Sequence, residues 1–251
     1  MGQNALVTIM CCPVQWSLPL SYIGGSRYMN QCFQDAIALA QYYYGFNLFI
    51  TFTTNTSWPE ITNTLLSSQM AADCPDLTVR VFNIYKKLLI NDLIKDNIFS
   101  DALGYVYTIE FQKCGLPHMH LLLSLTPCFR STTAEEVDTI VRATWPNPEN
   151  KPHLFNIVKC CMMHGPCGQW KCDAPCIKDE KCSKGFPKPF QAETVITCNG
   201  YPIYAQPNNG RGYEVCNFTA DNQWIVPYNP YLLSWYIAFF NLTSICKLTM
   251  L

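Results

Sequence analysis

Tyr107-Thr108-Ile109-Glu110-Phe111-Gln112-Lys113-Cys114-Gly115-Leu116-Pro117-His118-Met119-His120 is the stretch on which the fold turns. Tyr105 to Phe111 and His118 to Leu125 have strand character, and the residues between them form a tight, Gly-containing loop, so the segment predicts a β-hairpin. Side chains two apart on a strand share a face, so His118 and His120 project together and Met119 points the other way. If Lys113-Cys114-Gly115 is a three-residue loop with Gly115 left-handed, Gln112 faces Leu116 and Glu110 faces His118. Opposed residues of an antiparallel pair lie on the same face, which brings a carboxylate beside two imidazoles. Pro117 then has to stand at the strand start or on an edge. Two nitrogens and one oxygen can grip a divalent ion and leave positions open for phosphate oxygens or water. Mixed N/O ligation suits Mg²⁺ or Mn²⁺ acting as a Lewis acid.

Outward from the hairpin, the chain predicts an α+β domain, an antiparallel sheet flanked by helices. Asn30 is placed to cap a helix through Phe33, Ile37 and Leu39 to Tyr44, ended by Gly45. Leu48 to Thr54 reads as a buried strand. Ser57 with Glu60 reads as a capping box, and Asp76 to Lys95 as a long amphipathic helix. Thr133-x-x-Glu136 opens a further helix. Tyr42-Tyr43-Tyr44 reads as core and helix-end packing. Residues 146–190 are rich in Pro, Lys and Cys and poor in apolar periodicity, so something other than a core has to hold them. Residues 191–251 return to β-like and aromatic patterning, with Asn208-Asn209-Gly210 as a turn.

Seventeen basic against eighteen acidic residues give a net charge of -1, so any nucleic-acid contact has to come from a local patch. Fifteen cysteines cannot all pair internally, and the N-terminus has no basic region before its mildly apolar stretch. The chain therefore reads as not secreted, resident in a reducing compartment where clustered cysteines bind metal. Tyr231 to Cys246 is uncharged but short, and reads as a buried core helix rather than a membrane anchor. No membrane partner is expected. His164, Cys167, Cys172, Cys176 and Cys182 offer five soft ligands, one more than a structural Zn²⁺ needs, with Cys160-Cys161 as an alternative source. Seven lysines between 151 and 190, among them Lys171, Lys181, Lys184 and Lys188, outnumber Asp173, Asp179 and Glu180. With Arg211 they form the candidate DNA-contacting set. Trp170 and Phe186 are candidates to stack on unpaired bases.

The string Gln112 to Leu123, QKCGLPHMHLLL, resembles the HUH segment of the Helitron helicase-like N-terminal domain. Phe33-Gln34-Asp35-Ala36, Phe49 to Asn55, Trp58-Pro59-Glu60-Ile61, Pro75-Asp76, Arg80-Val81-Phe82, His164 to Gly168, Cys182-Ser183-Lys184, Asp221-Asn222 and Val226 to Pro230 resemble other stretches of that family in the same order. The resemblance implies an HUH nuclease-like sheet with a Cys-rich metal-binding insertion, nuclear or cytoplasmic. It implies a rolling-circle-type nickase in which a tyrosine attacks a phosphate of single-stranded DNA, assisted by a metal on the His pair. It also singles out His164, Cys167, Cys176 and Cys182 as the zinc set, leaving Cys172 spare. The organisation expected is an irregular lead (1–29), an HUH-type core (30–145), a Cys/Lys-rich zinc segment (146–190) and a C-terminal part (191–251). That last part reads as cut off before the family's paired tyrosines, so no catalytic residue is assigned. Phe239 and Thr243 stand where the family has a histidine and an acid, and Cys74, Cys114 and Gln223 where it tends to have Arg. No Gly-x-x-x-x-Gly-Lys-Ser/Thr phosphate loop occurs, so no helicase domain is expected in this chain.

Overall fold

The computed structural model describes residue 19 and residues 22–112, 115–126, 133–215 and 218–246. Lys113 and Cys114 of the hairpin loop lie outside the described residues. In chain order the elements are α1 (Ser26–Tyr42), β1 (Leu48–Thr53), α2 (Pro59–Thr62), α3 (Pro75–Ile94), β2 (Ala102–Phe111), β3 (Pro117–Leu125), α4 (Ala134–Ile140) and α5 (Pro152–Cys161). Then follow β4 (Ile177–Lys178), β5 (Lys181–Cys182), β6 (Val195–Ile196), β7 (Pro202–Ile203), β8 (Tyr213–Val215), β9 (Phe218–Ala220), α6 (Pro230–Tyr236) and β10 (Phe239–Ser244). The architecture is α+β, with, among the described residues, one four-stranded antiparallel sheet in the order β10-β1-β3-β2 and three two-stranded ribbons.

Period-two alternation sorts the sheet into two faces. Leu48, Ile50 and Phe52 of β1, Met119, Leu121 and Leu123 of β3, and Phe240 and Leu242 of β10 are all sealed against the helices. From α3 come Val81, Phe82, Leu89 and Leu93, the buried positions of a helix whose apolar residues recur every three or four. Phe52 is the centre of this core, stacked on Phe82 (5.3 Å) and Phe240 (4.8 Å). The opposite face carries the polar row Thr53, His118 and Glu110, and beside it Asn241, Thr51, His120 and Thr108. β1 lies between β3 and β10, so it can support both rows. Its start is pinned by Asn47, whose Oδ1 accepts from the Leu125 N–H and whose N–H donates to the Leu123 carbonyl.

Several sequence expectations change. The first helix begins at Ser26 instead of Asn30, and none of its residues is buried, so its apolar positions are no core stripe. Tyr43 packs over Gly104, but Tyr42 and Tyr44 are 75% and 76% exposed, which removes two of the three tyrosines from the expected packing role. Ser57 does not cap α2. Its own N–H donates to the Asn55 side chain, and Trp58 takes the cap position ahead of Pro59. The Thr133–Glu136 capping box is formed. Residues 146–190 contain a true amphipathic helix, α5, whose Leu154, Ile157 and Val158 are buried at helical spacing behind Pro152. Tyr231 to Cys246 is not one helix. α6 stops at Tyr236, Ile237 takes a left-handed conformation (φ 42), and the alternation Ala238, Phe240, Leu242 continues as strand β10. The Val226 to Pro230 stretch, which the family resemblance implies to be a late strand, makes one bridge, Arg142 with Tyr228, and no regular strand among the described residues.

α6 is held by Asn229. The side chain of Asn229 is buried; its Oδ1 accepts from the Leu232 N–H (2.9 Å) and its Nδ2 donates to the Ile140 carbonyl (2.7 Å). Asn229→Ala removes both bonds and leaves the half-buried Ile140 carbonyl without this donor. A loss of about 2 kcal/mol is expected, read as a lower urea midpoint at unchanged slope.

Candidate metal centres

β2 and β3 position the first cluster. Gly115 adopts φ 78 and its N–H donates to the Gln112 carbonyl, while the Gln112 N–H donates to the Leu116 carbonyl. Above this turn Phe111 faces Pro117 and Glu110 faces His118. Pro117 starts β3, where its missing N–H costs the ladder nothing. The ligand atoms of Glu110, His118 and His120 all lie within 4.8 Å of one another.

Each imidazole is held differently. His118 is 8% exposed, and its Nδ1 hydrogen-bonds the Thr53 hydroxyl at 2.7 Å, which leaves Nε2 for an ion. His120 stacks flat on Phe49, with centroids 5.6 Å apart, and places Nε2 2.8 Å from the Glu110 Oε1. The buried Nδ1 of His120 has no hydrogen-bond partner. Cis ligands on an octahedral ion at about 2.1 Å stand about 3 Å apart, so the Glu110–His120 spacing, here a direct hydrogen bond, is also compatible with two ligands on one cation. The hydrogen bond from His120 holds the Glu110 carboxyl below its usual range, although the group is exposed. Burial, then the nearby His120, holds His118 below its ordinary 6.5. His118 is therefore neutral at pH 7, the form that binds a metal. Protons compete for the same nitrogens, so Mn²⁺ affinity is expected to fall as pH is lowered from 7 to 5. An isothermal titration series across that window measures it.

α5 and the two-stranded ribbon β4–β5 position the second cluster. His164, Cys167, Cys176 and Cys182 bring one imidazole and three thiols within 4.8 Å of one another. Cys172 and Cys160 are exposed and take no part. The Cys182 Sγ lies 3.3 Å from the His164 Nε2. The corresponding edge of a zinc tetrahedron is about 3.5 Å, from Zn–S of about 2.3 Å and Zn–N of about 2.0 Å. Gly165, at φ 123, lets the chain pass against Trp224, where a Cβ would sit 3.0 Å from the ring.

The thiols differ in kind. Burial, with the Cys176 and Cys182 thiols beside it, pushes Cys167 up to about 12. At Cys182 burial also opposes ionisation. The backbone N–H groups of Phe186 and Lys184, together with the Cys167 and Cys176 thiols, outweigh it and lower the thiol below 9.0. One imidazole and three thiols converging on one centre are a Cys₃His donor set, and that set fits zinc. Burial, then Lys188 and Lys184, keeps His164 neutral, and its ring stacks on Phe186 at 4.3 Å.

Of the proposed DNA contacts, Lys171, Lys181, Lys184 and Arg211 are exposed. Lys188 is half-buried, with its Nζ donating to the Lys184 carbonyl and lying over the Phe186 ring. Phe186 packs beneath this loop, whereas Trp170 is 52% exposed. Tyr236 is buried and donates its hydroxyl to Asp92 at 2.5 Å.

Fold and clusters together define an α+β protein whose sheet presents a His-x-His and glutamate constellation and whose later half holds a Cys₃His cluster. Residues 14–123 match the family model described as the Helitron helicase-like domain at N-terminus, so that segment is similar to this family. The match spans α1 to β3 and includes Glu110, His118 and His120; the Cys₃His cluster lies beyond it. No curated protein matches the chain. Among the described residues, no helix is long and apolar enough to cross a membrane.

Proposed function

We propose that the chain is the metal-binding part of a Helitron-type nuclease, acting on single-stranded DNA. The observation that carries this reading is the convergence of Glu110, His118 and His120 on one sheet face, inside the segment that matches the family. Mg²⁺ or Mn²⁺ held there would polarise a strand phosphate and offset charge developing on it. His118 fixes the site through Thr53, His120 through Phe49, and Glu110 supplies the anionic oxygen. The Cys₃His cluster takes Zn²⁺ and acts structurally, holding the basic loop that carries Lys171, Lys181 and Lys184. The attacking hydroxyl is not Tyr236, whose side chain is committed to the core.

Fe²⁺ loaded at the His pair tests this reading, since the same ligands accept it. With ascorbate, a bound oligonucleotide is expected to be cut at a few adjacent nucleotides, and the cutting to drop at least tenfold in His118→Ala/His120→Ala. A uniform ladder, or cutting unchanged in the variant, would overturn it.

A non-catalytic, zinc-stabilised single-strand-binding module is the second reading, favoured by the burial of Tyr236. It expects salt-sensitive binding of an oligonucleotide with no covalent adduct on denaturing gels, under any metal.

A further inference from the structure

Beyond the matched segment, a cavity of about 180 Å³ opens between the chain after α4 and the start of α5. Its lining includes Arg142, Trp145, Asn147, Asn150, Lys151 and Tyr228, with no carboxylate among the described residues. Arg142 and Lys151 are exposed, and neither is ion-paired among the described residues. The frame around them is fixed by hydrogen bonds. Arg142 and Tyr228 exchange backbone bonds at 2.8 Å, and the Tyr228 hydroxyl donates to the Thr144 carbonyl at 3.0 Å. The Trp145 Nε1 donates to the Ala220 carbonyl, and the Lys151 N–H to the Asn147 carbonyl.

Two cations that make no ion pair among the described residues, two side-chain amides and two immobilised aromatic walls make a recess for an anion with a flat or sugar-like neighbour. The volume is below the roughly 300 Å³ of sites for drug-sized ligands, and suits a phosphate with part of its sugar. Arg142 can meet phosphate oxygens through its planar fork, and Lys151 adds a point charge. The positive end of α5, ten residues long and starting directly after Lys151, reinforces both. The chain's net charge of -1 makes such a local recess the kind of place where a polyanion would be gripped.

From this geometry we infer that the cavity seats a backbone phosphate of a single DNA strand, a contact separate from the metal centre. The inference rests on the single-strand reading above for the source of the phosphate. The test uses the full chain and an Arg142→Gln/Lys151→Gln variant, which keeps the backbone bonds of both positions. Binding of a fluorescein-labelled dT20 is followed by anisotropy across a salt series. The variant is expected to bind about tenfold more weakly, with a log–log salt slope flatter by about 0.7 for one lost phosphate contact. Mn²⁺ binding at His118 and His120 should be unchanged. Equal affinity and equal slope in the two proteins would overturn the inference while leaving the single-strand reading intact. If the unsubstituted chain fails to bind dT20, that reading fails, and titration with millimolar inorganic phosphate decides the cavity by itself. Phosphate bound by the unsubstituted chain and not by the variant supports the anion site, with free phosphate as its source. Phosphate bound by neither, or equally by both, overturns it.

Discussion

Replacing Cys167 and Cys182 by serine is expected to strip a stoichiometric zinc from the protein and unfold the segment from His164 to Phe186. Elsewhere this segment has little to hold it. The ribbon β4–β5 is two residues a side, and the small cluster beneath it is built on Cys167, Ala174, Phe218, Ala220 and Trp224, with the ligand thiols among its packing atoms. A structural zinc in a Cys/His site supplies about 10–16 kcal/mol in peptides that have no other core, far more than such a cluster can replace. Without the ion, burial holds Cys167 as a thiol and the thiols no longer share a centre. Hydrogen exchange is the measurement. Protection should vanish between 164 and 186 in the variant, or in the unsubstituted protein after chelation, and persist in β1 and β3, whose core is separate. Cys172→Ser is the control and should retain both zinc and protection, since that thiol is exposed and outside the cluster. A metal analysis finding no zinc in protein purified without chelator would sink the assignment.

Local patterns carried most of what the sequence could tell. The hairpin was legible because alternation on both strands and a glycine at the left-handed position leave one register, and that register alone puts Glu110 opposite His118. The Cys₃His cluster was legible as spacing only once a resemblance chose among five ligands. The lowering of the Cys182 thiol depends on backbone N–H groups of Phe186 and Lys184, which no residue type announces. α5 was missed although Leu154, Ile157 and Val158 keep helical spacing behind Pro152, because the cysteines and lysines around them drew the reading towards a loop. The stretch after Tyr231 was misread for a different reason. A short uncharged run fits a buried helix or a buried strand equally well until its partner is known. The partner, β1, lies about 190 positions back, as the Thr51–Asn241 bond records. The phosphate cavity is assembled from segments more than eighty positions apart, joined at Arg142 and Tyr228, and has no linear signature.

His118→Ala/His120→Ala is expected to weaken Mn²⁺ binding by about a hundredfold or more, measured by isothermal titration or by the loss of the bound-ion paramagnetic signal. Removing even the groups that merely orient a metal ligand costs about 10–100-fold in affinity, and this variant removes two of the three ligands themselves. The remaining Glu110 is exposed, and on its own has no geometry to hold a dication out of water. Stability should change far less than binding. The Thr53 hydroxyl loses the His118 ring, a cost of about 1 kcal/mol, while the apolar side of the sheet is untouched because Phe52 and Met119 point away from the site. Glu110→Gln separates charge from geometry. The amide keeps an oxygen at the same register position and gives up the negative charge, so an intermediate loss of about tenfold is expected. If the double variant binds Mn²⁺ as the unsubstituted chain does, the cation sits elsewhere and the sheet face is an ordinary polar one. If Glu110→Gln alone abolishes binding, the carboxylate dominates and the imidazoles serve to orient it, a reversal of the roles that the Thr53 and Phe49 contacts support.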